Sequence, residues 1–150
     1  MQKYYIADQS RSGNSGSSDK TKATSGELDI TIRDISNNGN VKTIIETLKI
    51  ESCGKKDTVI KMHIDKLLNR YDTGGNKENF IIILSYAKNF SKLWDAYKFY
   101  ISDCVFKGDM DFVELDPISH KADLKTGYNT FRRHNQEIRL YHLFLNMNND

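Results

Sequence analysis

Residues 26–32, Gly-Glu-Leu-Asp-Ile-Thr-Ile, and residues 43–49, Thr-Ile-Ile-Glu-Thr-Leu-Lys, decide the fold of this chain. Both stretches have the alternating or continuous apolar character of β-strands, and the Asn-Gly pair at 38–39 predicts a hairpin between them. Each stretch also places an acidic residue, Asp29 or Glu46, inside strand sequence. A buried carboxylate costs several kcal/mol unless a cation or a basic partner compensates it. Two acids on neighbouring strands could therefore share a cation.

The first strand is predicted at 28–33. The two-residue period of a strand puts Leu28, Ile30 and Ile32 on one face, and it puts Asp29 and Thr31 on the other. The second strand is predicted at 41–50, where two adjacent isoleucines suit a strand that is buried on both faces.

Two helices and a long apolar strand follow this hairpin. A helix is predicted from Asp57, which can cap its first turn, to about Arg70. Residues 80–86 form an unbroken apolar run, which predicts a central strand covered on both sides. A second helix is predicted at 90–104, and Phe99 lies outside its apolar stripe. The members of that stripe are Phe90, Leu93, Trp94, Tyr97, Tyr100, Ile101 and Cys104.

Strand sequence returns towards the carboxyl terminus. A short strand is predicted at 111–115, then a polar connection, and then a terminal hairpin of 130–133 with 137–147. The order of elements predicts an α/β (α+β) fold with a central mixed β-sheet flanked by helices. Residues 26–150 are predicted to form this one domain, and the Gly/Ser-rich residues 1–25 are predicted to be a flexible arm.

Composition sets outer bounds on function. The 150 residues carry a net charge of +2, with a pI near 8.4, which is too mild to demonstrate a nucleic-acid or membrane partner. Cys53 and Cys104 are the only cysteines, and their wide spacing favours reduced thiols over a disulfide framework. No secretory signal and no membrane-spanning run is present, so we expect a cytoplasmic protein without a membrane partner.

The GELDI sequence at 26–30 and the IIETLK sequence at 44–49 resemble the core of the PD-(D/E)XK, or restriction-endonuclease-like, nuclease superfamily. The resemblance covers residues 26–87. It implies a restriction-endonuclease-like core in which Asp29 and Glu46 bind Mg²⁺, or Mn²⁺ in its place. It also implies that Lys49 orients the attacking water, and that the chain is an endonuclease that hydrolyses phosphodiester bonds in DNA.

Lys49 departs from the family pattern because it follows Glu46 by three residues instead of two. On a regular strand the two side chains therefore point to opposite faces, and Leu48 occupies the place of the lysine. Either a β-bulge re-aims Lys49, or the role of the lysine has moved. Lys61 on the following helix and Lys42 at the start of the strand are the alternatives.

Basic pairs near the motif and at the terminal hairpin are candidates for contacting nucleic-acid phosphates: Lys55, Lys56, Arg132 and Arg133. A second interpretation keeps the fold with a degenerate site, so that the chain binds nucleic acid or a protein partner in a larger bacterial assembly. A third is a plain interaction domain without a nucleic-acid role. A homodimer, or fusion to a larger protein, is compatible with each. None of the four histidines has the spacing of a metal motif, so no role is predicted for them.

Overall fold

A computed structural model of the chain describes residues 4–8, 30–34, 40–72, 75–105, 112–116, 123–133 and 135–148. Seven strands are present in this part: β1 (Tyr4–Asp8), β2 (Ile30–Asp34), β3 (Asn40–Ile50), β4 (Glu78–Ser85), β5 (Phe112–Glu114), β6 (Leu124–Arg133) and β7 (Gln136–Asn146). Two helices are α1 (Val59–Lys66) and α2 (Phe90–Tyr100), and they continue into π-helical turns at Leu67–Tyr71 and Ile101–Val105. The predicted α+β class is confirmed.

The strands form one mixed sheet in the order β1-β2-β3-β4-β7-β6-β5. β2 lies between β1 and β3 and is antiparallel to both, and its pairing with β3 is the one that the predicted hairpin requires. β3, β4 and β7 are parallel, and α1 makes the crossover from β3 to β4. β6 and β5 complete the sheet in antiparallel pairing beyond β7. The three parallel strands therefore occupy its centre.

Both helices lie on the same face of this sheet. The ring of Trp94 on α2 packs 5.3 Å from that of Phe144 on β7, and His63 on α1 contacts Glu46 on β3. Glu46 and the β7 face are linked by a lateral row in which Glu46 pairs with Ile81 and Ile81 pairs with His142. The core between helices and sheet is completed by Ile44, Leu48, Ile60, Ile64, Leu67, Ile83, Leu93, Tyr97 and Leu140.

The opposite face of the sheet is only half-covered. Along β4, Ile81 and Ile83 are buried, whereas Phe80, Ile82 and Leu84 are half-buried. The structure thus differs from the prediction of a strand covered on both sides, since both described helices pack on one face. An unbroken apolar run cannot distinguish these cases, because isoleucine suits both a buried and a half-buried strand position.

Other boundaries also differ from the sequence-based expectation. In β2, Thr31 is fully buried beside Ile44 on the helix-facing side, while Ile30 and Ile32 are half-buried. The face predicted as polar is therefore the buried one, because the register of β2 on β3 sets Thr31 beside the buried Ile44. β6 begins at Leu124, within the stretch predicted as a polar connection. The segment predicted as a flexible arm contains β1 at its start.

The expected second helix agrees well with α2. Its N-cap is Asn89, whose side chain accepts a hydrogen bond from the Lys92 amide at 2.9 Å. The N-cap of α1 is Thr58, one residue after the predicted Asp57, and the Asp57 side chain accepts from the Val59 amide at 2.9 Å. In the described part of the chain, neither helix has the length and hydrophobicity needed to cross a membrane.

Candidate functional site

Glu46 is a fully buried carboxylate in the middle of β3. From Ile44 to Ile50 the even-numbered residues of β3 are buried on the helix side, so Glu46 lies between the apolar side chains of Ile44 and Leu48. An ionised carboxylate at such a position is costly unless hydrogen bonds and positive charge compensate it. The partners of Glu46 are therefore the first place to look for function.

Two side chains of α1 reach the same carboxylate oxygen. His63 Nδ1 lies 2.7 Å from Glu46 Oε1, and Lys66 Nζ donates to Oε1 at 3.3 Å. His63 and Lys66 are three residues apart on the helix, so they lie on one face, towards β3. We call Glu46, His63 and Lys66 the Glu46 cluster. It joins a buried acid to two basic groups across the boundary of sheet and helix.

The Glu46 cluster borders a groove of about 740 Å³ along α1. Lys66 is 20% exposed through its side chain, whereas that of Glu46 is fully covered. Lys61 and Asp65 in the groove wall pair at 2.7 Å, and Arg70 adds a further positive charge. The described wall consists of Thr58, Lys61, Met62, His63, Asp65, Lys66, Asn69 and Arg70. An anionic group in this groove would meet Lys66 before it reached Glu46.

Lys49, the lysine implied by the family resemblance, is not brought to Glu46. It is exposed, and its Nζ lies 5.8 Å from the centroid of the Tyr86 ring. The register of β3 on β4 is continuous from Ile45 to Ile50, so no bulge re-aims Lys49. The strand period therefore keeps it on the face opposite to Glu46.

The two alternative lysines are also engaged away from Glu46. Lys42 lies 3.5 Å from Asp34 on β2, and Lys61 is paired with Asp65. Lys66, which the sequence analysis did not consider, is the lysine at the carboxylate. The sequence did carry an indication of this contact. Lys66 follows His63 by three residues and lies on the helical face next to the buried stripe.

Asp29, the other predicted metal ligand, lies outside the described residues. Glu46 has suitable donor chemistry for Mg²⁺, which prefers carboxylate oxygens. Among the described residues, no group of three or more His, Cys, Asp and Glu side chains is arranged to hold a metal ion. The described residues thus supply one carboxylate of the predicted pair, with a lysine amine next to it.

The two predicted basic pairs lie at opposite ends of the strands, one beyond the carboxyl ends of the parallel strands and the other at their amino ends. Lys55 and Lys56 are exposed in the loop after β3, and Lys55 Nζ lies 5.2 Å from the Phe99 ring centroid. Arg132 and Arg133 terminate β6 at the amino ends, since β6 is antiparallel to β7. Arg133 donates at 2.6 Å to two backbone carbonyls at the end of the α1 segment, those of Leu68 and Asp72. Arg133 therefore holds the fold together at this point.

A second polar centre lies in the same layer. The Tyr97 hydroxyl is 2.7 Å from His142 Nδ1, and His142 Nε2 is 2.8 Å from Asn129 Oδ1. All three residues are fully buried. Burial lowers the pKa of His142 from 6.5 to about 3 and raises that of Tyr97 well above its ordinary value. Both groups are therefore neutral near pH 7, and the centre is sealed and uncharged.

The spacing of the histidines along the sequence gives no sign of the role of His63. Its partner, Glu46, is 17 residues away and belongs to a different element, so the pairing depends on how α1 packs on β3.

Comparison of the chain with protein-family models, with curated proteins and with solved structures finds no match.

Proposed function

We propose that this chain is a Mg²⁺-dependent nuclease that hydrolyses phosphodiester bonds, with DNA as its substrate. Glu46 and Asp29 are the proposed metal ligands, and Lys66 takes the place that the family resemblance gave to Lys49. The observation that carries the proposal is the contact of a buried β3 carboxylate with a lysine amine at 3.3 Å, at the edge of an open groove.

The free-energy cost of burying the Glu46 carboxylate supports a functional role for the Glu46 cluster. A hydrophobic residue at this position would join Ile44 and Leu48 in the core, and replacing buried ion pairs with apolar residues is often neutral or stabilising. Stability alone therefore gives little reason to keep a carboxylate here. Metal binding or phosphate chemistry at the groove gives one.

The order of the elements also supports the proposal. An antiparallel β2–β3 pair, a helix and a parallel β4 follow one another over the region of the resemblance. In this arrangement the last turn of α1 runs over β3, so a lysine on the helix can reach a carboxylate on the strand. This gives a physical route by which the role of the lysine moves from β3 to α1.

Each residue of the cluster has a distinct role in this proposal. Glu46 holds the cation, and bound Mg²⁺ would polarise the phosphate and acidify a coordinated water. His63 fixes the orientation of the Glu46 carboxylate through its contact at 2.7 Å. Lys66 donates to the attacking water or to the phosphate, where negative charge develops during hydrolysis.

Nicking of a supercoiled plasmid tests the proposal. Wild type, Glu46→Gln, Asp29→Ala and Lys66→Gln are compared with Mg²⁺, with Mn²⁺ and with EDTA. We expect metal-dependent nicking by wild type, its loss in the two acid variants and a decrease of roughly 100-fold in Lys66→Gln. Lys42→Gln is the matched control, because it removes a lysine from the same strand as Glu46 and should nick as wild type does.

Equal nicking by wild type, Glu46→Gln and Lys66→Gln would overturn the assignment of the site. Loss of activity in Lys42→Gln to the same extent as in Lys66→Gln would remove the special role of Lys66. Circular dichroism of each variant separates these results from loss of folding.

One observation favours a second candidate function, a degenerate nuclease-like module that binds nucleic acid or a protein partner. Lys66 donates to Glu46 Oε1 and His63 contacts the same oxygen, so the ammonium group of Lys66 already supplies positive charge where a cation would bind. Titration calorimetry with Mg²⁺ and Mn²⁺ distinguishes the two functions. Absence of metal binding, together with salt-sensitive binding of nucleic acid, would support the degenerate module.

A further inference from the structure

The carboxyl edge of the parallel strands carries an exposed tyrosine next to several lysines. Tyr86 follows β4 directly, and its amide donates at 3.0 Å to the carbonyl of Ile50, the last residue of β3. Its ring is 41% exposed, and Lys49 Nζ lies 5.8 Å from the ring centroid. The backbone of the tyrosine is thus held by the sheet while its ring faces outward.

Two clefts meet at this edge. One, of about 510 Å³, is bounded by Lys49, Ile50, Glu51 and Tyr86. The other, of about 290 Å³, lies towards the start of α2 and includes Lys88 and Lys92 in its wall. Glu51 belongs to both walls, so the clefts adjoin. We call Lys49, Tyr86, Lys88 and Lys92 the carboxyl-edge surface.

The charge and shape of the carboxyl-edge surface specify the chemistry of a ligand. All three of its lysines are exposed, and they outnumber the single acid, Glu51, that the two clefts share. The ligand should therefore be anionic along a line that crosses both clefts. An exposed aromatic ring in addition favours a ligand with flat, accessible rings.

We propose that the carboxyl-edge surface binds single-stranded nucleic acid, with a base stacked on Tyr86 and phosphates contacted by Lys49, Lys88 and Lys92. A duplex presents its phosphates but keeps the faces of its bases stacked, so it cannot use the tyrosine. A strand with unpaired bases offers both groups, and stacking on an aromatic side chain tolerates any base sequence.

This proposal goes beyond the hydrolysis proposed above and does not use the Glu46 cluster. Lys49 and Glu46 lie on opposite faces of β3, and the strand separates their surroundings. Lys49, which the family resemblance would make catalytic, is here a residue that contacts the ligand. Binding at this surface can be measured without metal, so its failure and the failure of nuclease activity are separate results.

Fluorescence anisotropy of a labelled oligo-dT of about 15 nucleotides in EDTA tests the proposal. Wild type should bind more weakly as salt rises, because a single strand releases roughly 0.7 counterions for each phosphate that is neutralised. We expect Tyr86→Ala to bind roughly 5- to 150-fold more weakly, since stacking of one base accounts for that range. Tyr86→Phe should retain most of the affinity because the ring remains.

Lys49→Gln should weaken binding and reduce the magnitude of the salt slope by roughly 0.7. Matched controls are Tyr5→Ala, which removes a tyrosine of 42% exposure from β1, and Lys77→Gln, which removes an exposed lysine at the amino edge of β4. Both controls should bind as wild type does.

Three results would overturn the proposal. The first is equal affinity of wild type and Tyr86→Ala for the oligonucleotide. The second is displacement of the oligonucleotide by polyglutamate as effective as its displacement by unlabelled oligo-dT, which would indicate a surface for acidic protein segments. The third is a preference for duplex DNA of the same length over the single strand.

Discussion

His63 and His142 are two buried histidines in one layer of this molecule, and their surroundings differ. His63 contacts the Glu46 carboxylate, next to the Lys66 amine, and lies in the wall of a groove. His142 lies between the Tyr97 hydroxyl and the Asn129 amide, and it is fully buried. The first centre pairs an acid with a lysine beside a groove, and the second is neutral and enclosed.

The two centres are close enough for the comparison to be informative. Glu46 and His142 flank Ile81 in a single lateral row across β3, β4 and β7. Helices of the same layer cover both. The difference therefore arises from the partners and from access to solvent, and it separates a candidate site from a structural hydrogen-bond network. The next three predictions test that separation through stability.

The largest effect is expected at the enclosed centre. His142→Ala should lower the free energy of unfolding by about 3–5 kcal/mol, because it opens a cavity and removes the partners of two buried polar groups. His63→Ala should cost less, about 1–2 kcal/mol, since groove water can replace the lost contact. Urea denaturation followed by circular dichroism measures both. An equal loss in the two variants would contradict the separation.

The second effect is a dependence of stability on acid. The folded-state pKa of His142 is about 3, below its ordinary value of 6.5, so the unfolded chain takes up this proton first. The contribution of neutral His142 is therefore complete above pH 6.5 and is lost as pH falls towards 3. Its slope in that window is at most about 1.4 kcal/mol per pH unit.

Denaturation midpoints of wild type and His142→Gln at pH 7, 5 and 4 isolate this contribution. Glutamine retains hydrogen-bonding groups and does not titrate, so the difference between the two proteins should shrink as pH falls. A constant difference across the series would show that the titration of His142 does not affect stability.

The smallest effect on stability is expected at the charged centre. Glu46→Gln should change the free energy of unfolding by about 1 kcal/mol, because glutamine has nearly the same shape and Lys66 can turn towards groove water. The same variant should abolish metal-dependent nicking if the proposed function holds. A loss of stability above about 3 kcal/mol would instead identify the Glu46 cluster as part of the structural framework.

Much of the fold was predictable because its signals are local. The apolar run of β4, the helical stripe from Phe90 to Tyr100 and the alternation of β7 each depend on residues close in sequence. Ile138, Leu140, His142 and Phe144 alternate along β7, and all four are buried on one face of the strand. Alternation along a strand does not show which of its faces other elements cover. For this reason the burial of Thr31 and the half-burial of Ile82 were not predicted.

The candidate site was predictable in part. The sequence singled out Glu46, since an acid within apolar strand sequence is unusual and requires compensation. It left open whether a β-bulge re-aims Lys49 or the role of the lysine has moved, and the regular register of β3 on β4 excludes the bulge. It did not identify His63 or Lys66, because charged residues on an amphipathic helix are ordinarily a solvated face.

The sequence by itself determined the two helices, the strands β2, β3, β4 and β7 and the position of Glu46, since each follows from a period of two or 3.6 residues. Only the tertiary structure decided which basic groups meet that carboxylate. Glu46 is 17 residues from His63 and 20 from Lys66, and their contacts depend on the packing of α1 against β3. The same packing places Lys49 beside Tyr86 at the carboxyl edge, because the order of the strands sets β4 next to β3.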